Sequence, residues 1–313
     1  MTMNVIYVLN VSGGKDSTAM LLWAMERDMT FLPVFADTGN EHRITLEYID
    51  RLPEMTGCPE IVRVRSDFAE AFQGRRRRLP DKWRKDGVPQ DRIDEALSNL
   101  HPSGNPFLDL CVLKGRFPST RARFCSQILK HEAIHEYVIL PWLDRGWETV
   151  SMLGIRAEES PSRAGMLRIE DLGDGRWVFR PLLDWTVGDV FAIHRRHGVD
   201  PNPLYRLGCS RVGCMPCIHE SKAGIRNIAQ RFPDDISRIE KWEKRVGCVS
   251  KRGASTFFAV NKVPGHHQGD TTLPIPPIRD VVRWSMTARG GRQLDLFATE
   301  KTGDCMSLYG LCE

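Results

Sequence analysis

An apolar run of strand character, Val5-Ile-Tyr-Val-Leu-Asn-Val11, passes directly into Ser12-Gly-Gly-Lys-Asp-Ser17, and apolar residues at helical spacing follow at Met20, Leu21, Ala24 and Met25. Strand, glycine-rich loop and helix in that order constrain the fold more than any other stretch of the chain. Gly13 and Gly14 let the backbone bend tightly and approach a ligand closely. The helix start beyond them aims unpaired N–H groups and the positive end of the dipole at an anion. Lys15 adds a point charge, Ser12, Ser17 and Thr18 add hydroxyls, and Lys15 and Asp16 are the candidate catalytic groups. The loop is not a Walker A sequence, which needs four residues between its first glycine and a Gly-Lys pair. The competing reading is a glycine-rich turn with no ligand.

A chain of 313 residues can bury a full core as one large domain or two smaller ones. A net charge of +4 gives no general affinity for polyanions, so any nucleic-acid surface has to be local. The apolar start is too short for a signal peptide and no window approaches a membrane span, so a cytoplasmic protein without membrane contact is expected. In that compartment nine cysteines point to metal or redox chemistry before structural disulfides.

A second strand, Phe31-Leu-Pro-Val-Phe-Ala36, ends in Asp37-Thr-Gly-Asn-Glu41, which puts Asp37 and Gly39 where open α/β sheets bind ligands. A helix (Ile44 to Met55) and a third strand (Glu60 to Val64) continue the alternation of a mainly parallel sheet. From Phe68 to about Leu110 the pattern lapses into an insertion with the run Arg75-Arg-Arg-Arg78, read either as a solvated face or as a contact for nucleic-acid phosphates. Thr149 to Ile155 reads as a further strand, followed by a loop holding Arg156 and Arg163. These guanidinium groups suit phosphate or sulfate, or else pair with Glu158 and Glu159. A hairpin is expected around Gly173-Asp-Gly175, and a helix capped by Thr186, with Asp189 three residues on, carries His194 and His197 as ordinary helix and cap residues.

Taken in series, Ser12-Gly-Gly-Lys-Asp-Ser17, Asp37-Thr-Gly39, Gly154-Ile-Arg156 with Ser160-Pro-Ser-Arg163, Pro181-Leu-Leu-Asp-Trp185 and Asn202-Pro-Leu-Tyr205 resemble the phosphoadenosine phosphosulfate (PAPS) and adenosine phosphosulfate (APS) reductases. That family lies within the PP-loop adenine nucleotide alpha-hydrolases, and the resemblance covers roughly residues 5 to 220. It implies a Rossmann-like twisted sheet with helices on both faces. The nucleotide, ATP or PAPS with magnesium as a candidate companion, would lie across the carboxyl edge at Ser12, Gly13, Gly14, Ser17, Thr18, Asp37, Gly39, Gly154, Arg156 and Arg163. The resulting division is a nucleotide-binding domain over 1–200 with an Arg-rich insertion at 68–120, a cysteine-rich segment over 201–260 and an irregular tail over 261–313.

Cys209-Ser-Arg-Val-Gly-Cys214-Met-Pro-Cys217 is the second centre, since a C-x-x-C turn sets two thiolates on one side of a tight loop. It resembles the cluster-bearing segment of APS reductases, and Arg-Phe-Cys125-Ser-Gln-Ile-Leu-Lys130 resembles their other ligand-bearing segment, with Phe124 in place of the first of two adjacent cysteines. The resemblance thus implies a [4Fe-4S] cluster on Cys125, Cys214 and Cys217; the fourth ligand stays open, with Cys248 chosen over Cys209, structural zinc and a redox C-x-x-C pair are the alternatives, and Cys58 and Cys111 read as plain buried thiols. The sulfonucleotide reductases carry a nucleophilic cysteine near the C-terminus, of which Cys312 is a loose analogue beside Cys305.

Three activities fit this sequence. The intact Ser-Gly-Gly-Lys-Asp-Ser loop favours ATP cleaved between the α- and β-phosphates for adenylation and sulfur transfer. The motif order equally allows a thiol-dependent reductase that releases sulfite with a thioredoxin-like partner. The third is a catalytically silent nucleotide- and nucleic-acid-binding protein. A homo-oligomer is expected in each case.

Overall fold

The computed structural model describes residues 4–258, 263 and 275–288. Six strands form one sheet in the order β3-β2-β1-β4-β6-β5. These are β1 (Val5–Val11), β2 (Phe31–Ala36), β3 (Val62–Val64), β4 (Glu148–Met152), β5 (Ile169–Gly173) and β6 (Arg176–Phe179). Every pairing is parallel except β5 with β6, the hairpin that turns at Asp174 with φ 54° between two glycines. The fold is the α/β class expected. The third strand is shorter than the sequence suggests, because only its last three residues pair with β2.

Between strands run α1 (Lys15–Met25) and α2 (Arg43–Thr56), and α9 (Val187–Arg196) follows the hairpin. Met20, Leu21 and Leu22 of α1 pack with Val190 and Ile193 of α9 on one face of the sheet. Each such side chain taken fully out of water contributes roughly 1.5–3 kcal/mol. The other face, Val8, Val34 and Val64, is covered by Ala133, Ile134 and Val138. These belong to a continuous helical run over 124–143 that begins as α6 (Phe124–Ser126), is π-wound over Gln127–Glu132 and His135–Ile139, and closes as α7 (Leu140–Leu143).

The stretch from 68 to 110 does not lapse into irregular chain. It forms α3 (Ala69–Lys85), α4 (Gln90–Asn99) and α5 (Pro106–Lys114), with Asn105 capping α5 by accepting from the Leu108 amide. Phe72, Leu79, Trp83 and Ile93 from this stretch share one core with Leu204, Ile225, Ile239 and Ile278 from the last third of the chain. The turn α8 (Pro161–Ala164) lies at mid-chain, and the last third supplies α10 (Lys222–Arg231), α11 (Pro233–Cys248) and α12 (Ile278–Ser285). Cys305 and Cys312 lie outside the described residues.

Candidate functional site

The loop after β1 is held in shape by its own side chains. Ser12 donates its amide (3.1 Å) and its hydroxyl (3.1 Å) to the Ser17 hydroxyl, which donates onward to the Gly14 carbonyl at 3.0 Å. Gly13 has φ +70°, and a Cβ there would sit 2.9 Å from Thr45 Cγ2. Gly14 caps α1 with no side chain. Distant residues fix the loop from behind: Tyr205 accepts from the Lys15 amide at 3.0 Å, Asn202 donates to the Gly13 carbonyl at 3.1 Å, and His194 Nε2 lies 3.0 Å from the Lys15 carbonyl. Its Nδ1 lies 3.0 Å from the Val199 carbonyl, so the ring is held between two backbone oxygens, and burial lowers its pKa against their opposing pull.

Asp16 gathers the two cations nearest the loop. Its Oδ2 lies 2.7 Å from Lys15 Nζ and its Oδ1 2.6 Å from Arg156 Nε, while Arg156 also pairs with Glu158 at 3.1 Å. Lys15 and Arg156 are both buried, at 6% and 4% exposure, so an anion that displaces Asp16 would meet two positive charges little screened by water. Gly154 makes this packing possible, because a Cβ there would fall 2.9 Å from the Asp16 carbonyl oxygen. Thr18 Oγ1 is buried without a hydrogen-bond partner in the described structure. Arg163 turns aside to pair with Glu159.

The loop after β2 joins this site to the cysteines. Asp37 accepts from the Gly39 amide at 2.9 Å, and Asn105 donates to the Gly39 carbonyl at 2.6 Å. Glu41 forms an antiparallel bridge with Cys214, Met215 donates to the Asn40 carbonyl at 2.7 Å, and Asn40 donates to the Pro216 carbonyl at 2.9 Å. These bonds hold the C-x-x-C turn against the carboxyl end of β2. A Cβ on Gly14 would lie 3.5 Å from the Val212 carbonyl, so the cysteine segment also abuts the glycine-rich loop.

Between these loops opens a cleft along the carboxyl edge of the sheet. Its inner part, about 160 Å³, is lined by Ser12, Phe35, Glu41, Lys130 and Gly213. An adjoining part of about 750 Å³ runs out over β4 and β6 past Asn10, His131, Ser151 and Trp177. Together they fall within the range of nucleotide sites. Of the sequence-derived site residues only Ser12 is among those lining the cleft, while Lys15, Asp16, Gly154 and Arg156 are gathered around the Asp16 carboxylate and backbone.

Lys130 is the group the sequence reading missed. Lys130 stands in the π-wound segment Gln127–Glu132, five residues after Cys125 in the preceding α-helical turn. Its ammonium faces Cys214, Glu41, Cys217 and Cys125, whose negative charge when ionised raises its pKa. Burial pushes the Cys214 thiol up to about 12 against the opposing pull of Lys130. Burial also raises Cys125, helped by Cys217, and raises Cys111, helped by Cys125. The thiols of Cys111, Cys125, Cys217 and Cys214 are therefore electrostatic neighbours in that order. Cys248 sits at the end of α11, and Cys209 is buried beside Asn227, which donates to its sulfur at 3.7 Å. Among the described residues no three His, Cys, Asp or Glu side chains are grouped to hold a single metal ion.

Residues 6–220 match the model of the phosphoadenosine phosphosulfate reductase domain. The chain belongs to that family. A relative from Escherichia phage 186, described as an uncharacterized 37.8 kDa protein, is 44% identical across 99% of this chain and 97% of its own length. An adenosine 5'-phosphosulfate reductase of Neisseria meningitidis serogroup A is 35% identical over 43% of this chain and 56% of its own. That of Allochromatium vinosum is 32% identical over 36% and 42%. A crystal structure of a PAPS reductase from Candida auris in complex with phosphate superposes with a TM-score of 0.39 at 14% identity, covering 67% of this chain and 81% of that one. The family match spans the phosphate loop, the Asp37 turn, the Arg156 loop and the C-x-x-C segment. No helix among the described residues is long and apolar enough to cross a membrane.

Proposed function

We propose that this PAPS reductase-family chain binds an adenine nucleotide with its phosphates at Ser12–Thr18 and cleaves ATP between the α- and β-phosphates in the service of sulfur transfer. One observation carries the reading: Ser12 of the glycine-rich loop lines the same cleft as Glu41 and Lys130, the two groups that neighbour the Cys214 thiol. An acceptor oxygen would attack the α-phosphorus, the bond to the bridging oxygen would break, and pyrophosphate would leave with the electron pair. Charge grows on that leaving group. Lys15 and Arg156, released from Asp16 as the phosphates enter, would neutralise it where water is largely excluded. A magnesium ion accompanying ATP is part of this proposal.

The donor set in the thiol group suits iron and sulfur, because it is all soft sulfur. Cys125, Cys214 and Cys217 would hold a four-iron cluster, with Cys111 preferred to Cys248 as fourth ligand because charge on Cys125 bears on the Cys111 thiol. A bound cluster supplies a redox-active centre beside the nucleotide.

The relatives' names favour a second reading, a reductase of PAPS or APS. In it a thiolate, with Cys312 the candidate, attacks the sulfur, the nucleotide leaves, and two electrons from a thioredoxin-type dithiol release sulfite. One anaerobic assay separates the two: ATP, PAPS and APS are supplied in turn and pyrophosphate and sulfite are measured. Pyrophosphate from ATP supports the first reading. Sulfite from PAPS or APS, abolished in Cys312→Ser, supports the second and overturns the first.

A further inference from the structure

On the far flank of the helical run over 124–143 lies a second hollow, about 750 Å³, with no part in the nucleotide cleft. Its floor is apolar, formed by Phe68, Leu79, Trp83, Leu113 and Ile128, and its rim is basic, formed by Arg75, Arg78, Lys82, Lys114 and Lys251. The four consecutive arginines of α3 divide here by helical geometry. Arg75, Arg78 and Lys82 are spaced three and four residues apart and share the face toward the hollow. Arg76 instead donates to the Leu97 and Leu100 carbonyls, tying α3 to α4, and Arg77 folds back on the Gln73 carbonyl.

The rim is built into the fold. Arg75 donates to the Val249 carbonyl at 3.3 Å, and a Cβ on Gly115 would lie 2.8 Å from that same oxygen and 3.3 Å from the Arg75 guanidinium. Lys251 is paired with Asp86 at 2.6 Å. Among the described residues Arg75, Arg78, Lys82 and Lys114 have no carboxylate at ion-pair distance, although Asp81, beside Lys82, is paired with Arg84. Four cations with no carboxylate at ion-pair distance around an apolar floor, Lys82 having only the longer-range field of Asp86, call for a ligand that brings both anions and flat apolar surface.

We propose that this hollow binds single-stranded nucleic acid, with phosphates on the Arg75, Arg78, Lys82 and Lys114 rim and a base against the apolar floor. From Arg75 to Lys82 the helix rises about 10 Å, which suits successive phosphates of a strand better than one mononucleotide. An acidic peptide would meet the charge but would leave the floor unfilled. Ile128 faces this hollow while Lys130 and His131 of the same helix face the nucleotide cleft, so one helix diameter separates the two sites. The proposal is independent of which nucleotide the cleft uses, since it concerns binding and not turnover.

The test is fluorescence anisotropy of the full chain with end-labelled single-stranded DNA and RNA of about 12 nucleotides, between about 50 and 300 mM salt. Wild type is expected to bind with a steep salt dependence, and Arg78→Glu with Lys82→Glu, both exposed, is expected to weaken binding at least about tenfold and to lower the slope by about 1.4. Arg77→Glu, in the same run but turned away, is the control and should bind as wild type does. The proposal is overturned if no binding is detected at low salt, if Arg77→Glu loses as much as the double variant, or if polyglutamate displaces the strand as well as unlabelled oligonucleotide does. The DNA and RNA arms distinguish the source of the strand.

Discussion

Gly13 offers a direct mechanical test of the phosphate loop, because Gly57 provides its control. Both have positive φ, +70° and +72°, so replacing either with alanine incurs the left-handed penalty of about 1–2 kcal/mol. They differ in their surroundings. A Cβ at Gly57 meets nothing within 4 Å, whereas at Gly13 it lies 2.9 Å from Thr45 Cγ2 and 3.1 Å from Ile49 Cγ1. Thr45 and Ile49 are 0% and 1% exposed and have little room to retreat. Overpacking of this kind costs about 1–3 kcal/mol beyond the backbone term. Part of that strain would be relieved by moving the loop away from α2, which disturbs the Ser12–Ser17 bonds and the Asn202 contact at the Gly13 carbonyl. Gly13→Ala is therefore expected to unfold at lower denaturant than Gly57→Ala by about 1–3 kcal/mol. It should also bind ATP at least about tenfold more weakly, a change of about 1.4 kcal/mol, while Gly57→Ala binds as wild type does. Equal stability and equal affinity in the two variants would refute the reasoning.

Three further outcomes follow from the geometry. Lys15→Ala should weaken ATP and PAPS binding in a calorimetric titration by roughly 1.5–3 kcal/mol, as expected for a lost charge-assisted contact; unchanged affinity for both would remove Lys15 from the site. After anaerobic reconstitution, Cys111→Ser and Cys214→Ser should retain less iron and visible absorbance than wild type at matched thermal midpoints, while Cys248→Ser retains both; iron lost from Cys248→Ser and kept by Cys111→Ser would reverse the ligand assignment. Burial pushes the Glu243 carboxyl up to about 7 from an ordinary 4.5, although the Ile278 and Phe257 amides donate to it. The folded state therefore holds this proton more tightly than the unfolded chain, so the stability it confers is full below about 4.5 and is lost as pH rises through 7, by at most about 3 kcal/mol. Glu243→Gln should flatten the fall in thermal midpoint between about pH 5 and pH 7.5, and an equally steep fall in that variant would exclude Glu243 as its source.

The sequence made the local parts of this fold legible and hid the long-range ones. Strand, loop and helix at Val5 to Met25 could be read because apolar periodicity and glycine placement are local properties, and the Gly173-Asp-Gly175 hairpin was legible for the same reason. The helix α3 was not, since its buried stripe is only Phe72, Leu79 and Trp83, interrupted by charged residues and by Pro80. The loop residues of the site were visible as a motif. Their supports were not: Arg156 reaches Asp16 across 140 residues and Tyr205 reaches Lys15 across 190, and no spacing rule links them. Asn202-Pro-Leu-Tyr205 stood out as a motif without revealing that its hydroxyl holds the phosphate loop. His194 reads as an ordinary helix residue until its ring is found between two backbone carbonyls. Lys130 escaped because its neighbours Cys214, Glu41 and Cys217 come from segments distant in the chain, which no local periodicity marks.

The central claim is that the loop from Ser12 to Thr18 grips a nucleotide's phosphates beside the thiol group. A crystal of the full chain grown anaerobically with a non-hydrolysable ATP analogue tests it most directly. The account predicts phosphate density at the start of α1, with Lys15 or Arg156 turned from Asp16 toward it and the adenosine lying along the carboxyl edge of the sheet. Density for the analogue elsewhere, with the Lys15–Asp16–Arg156 pairing undisturbed and the loop empty, would contradict it.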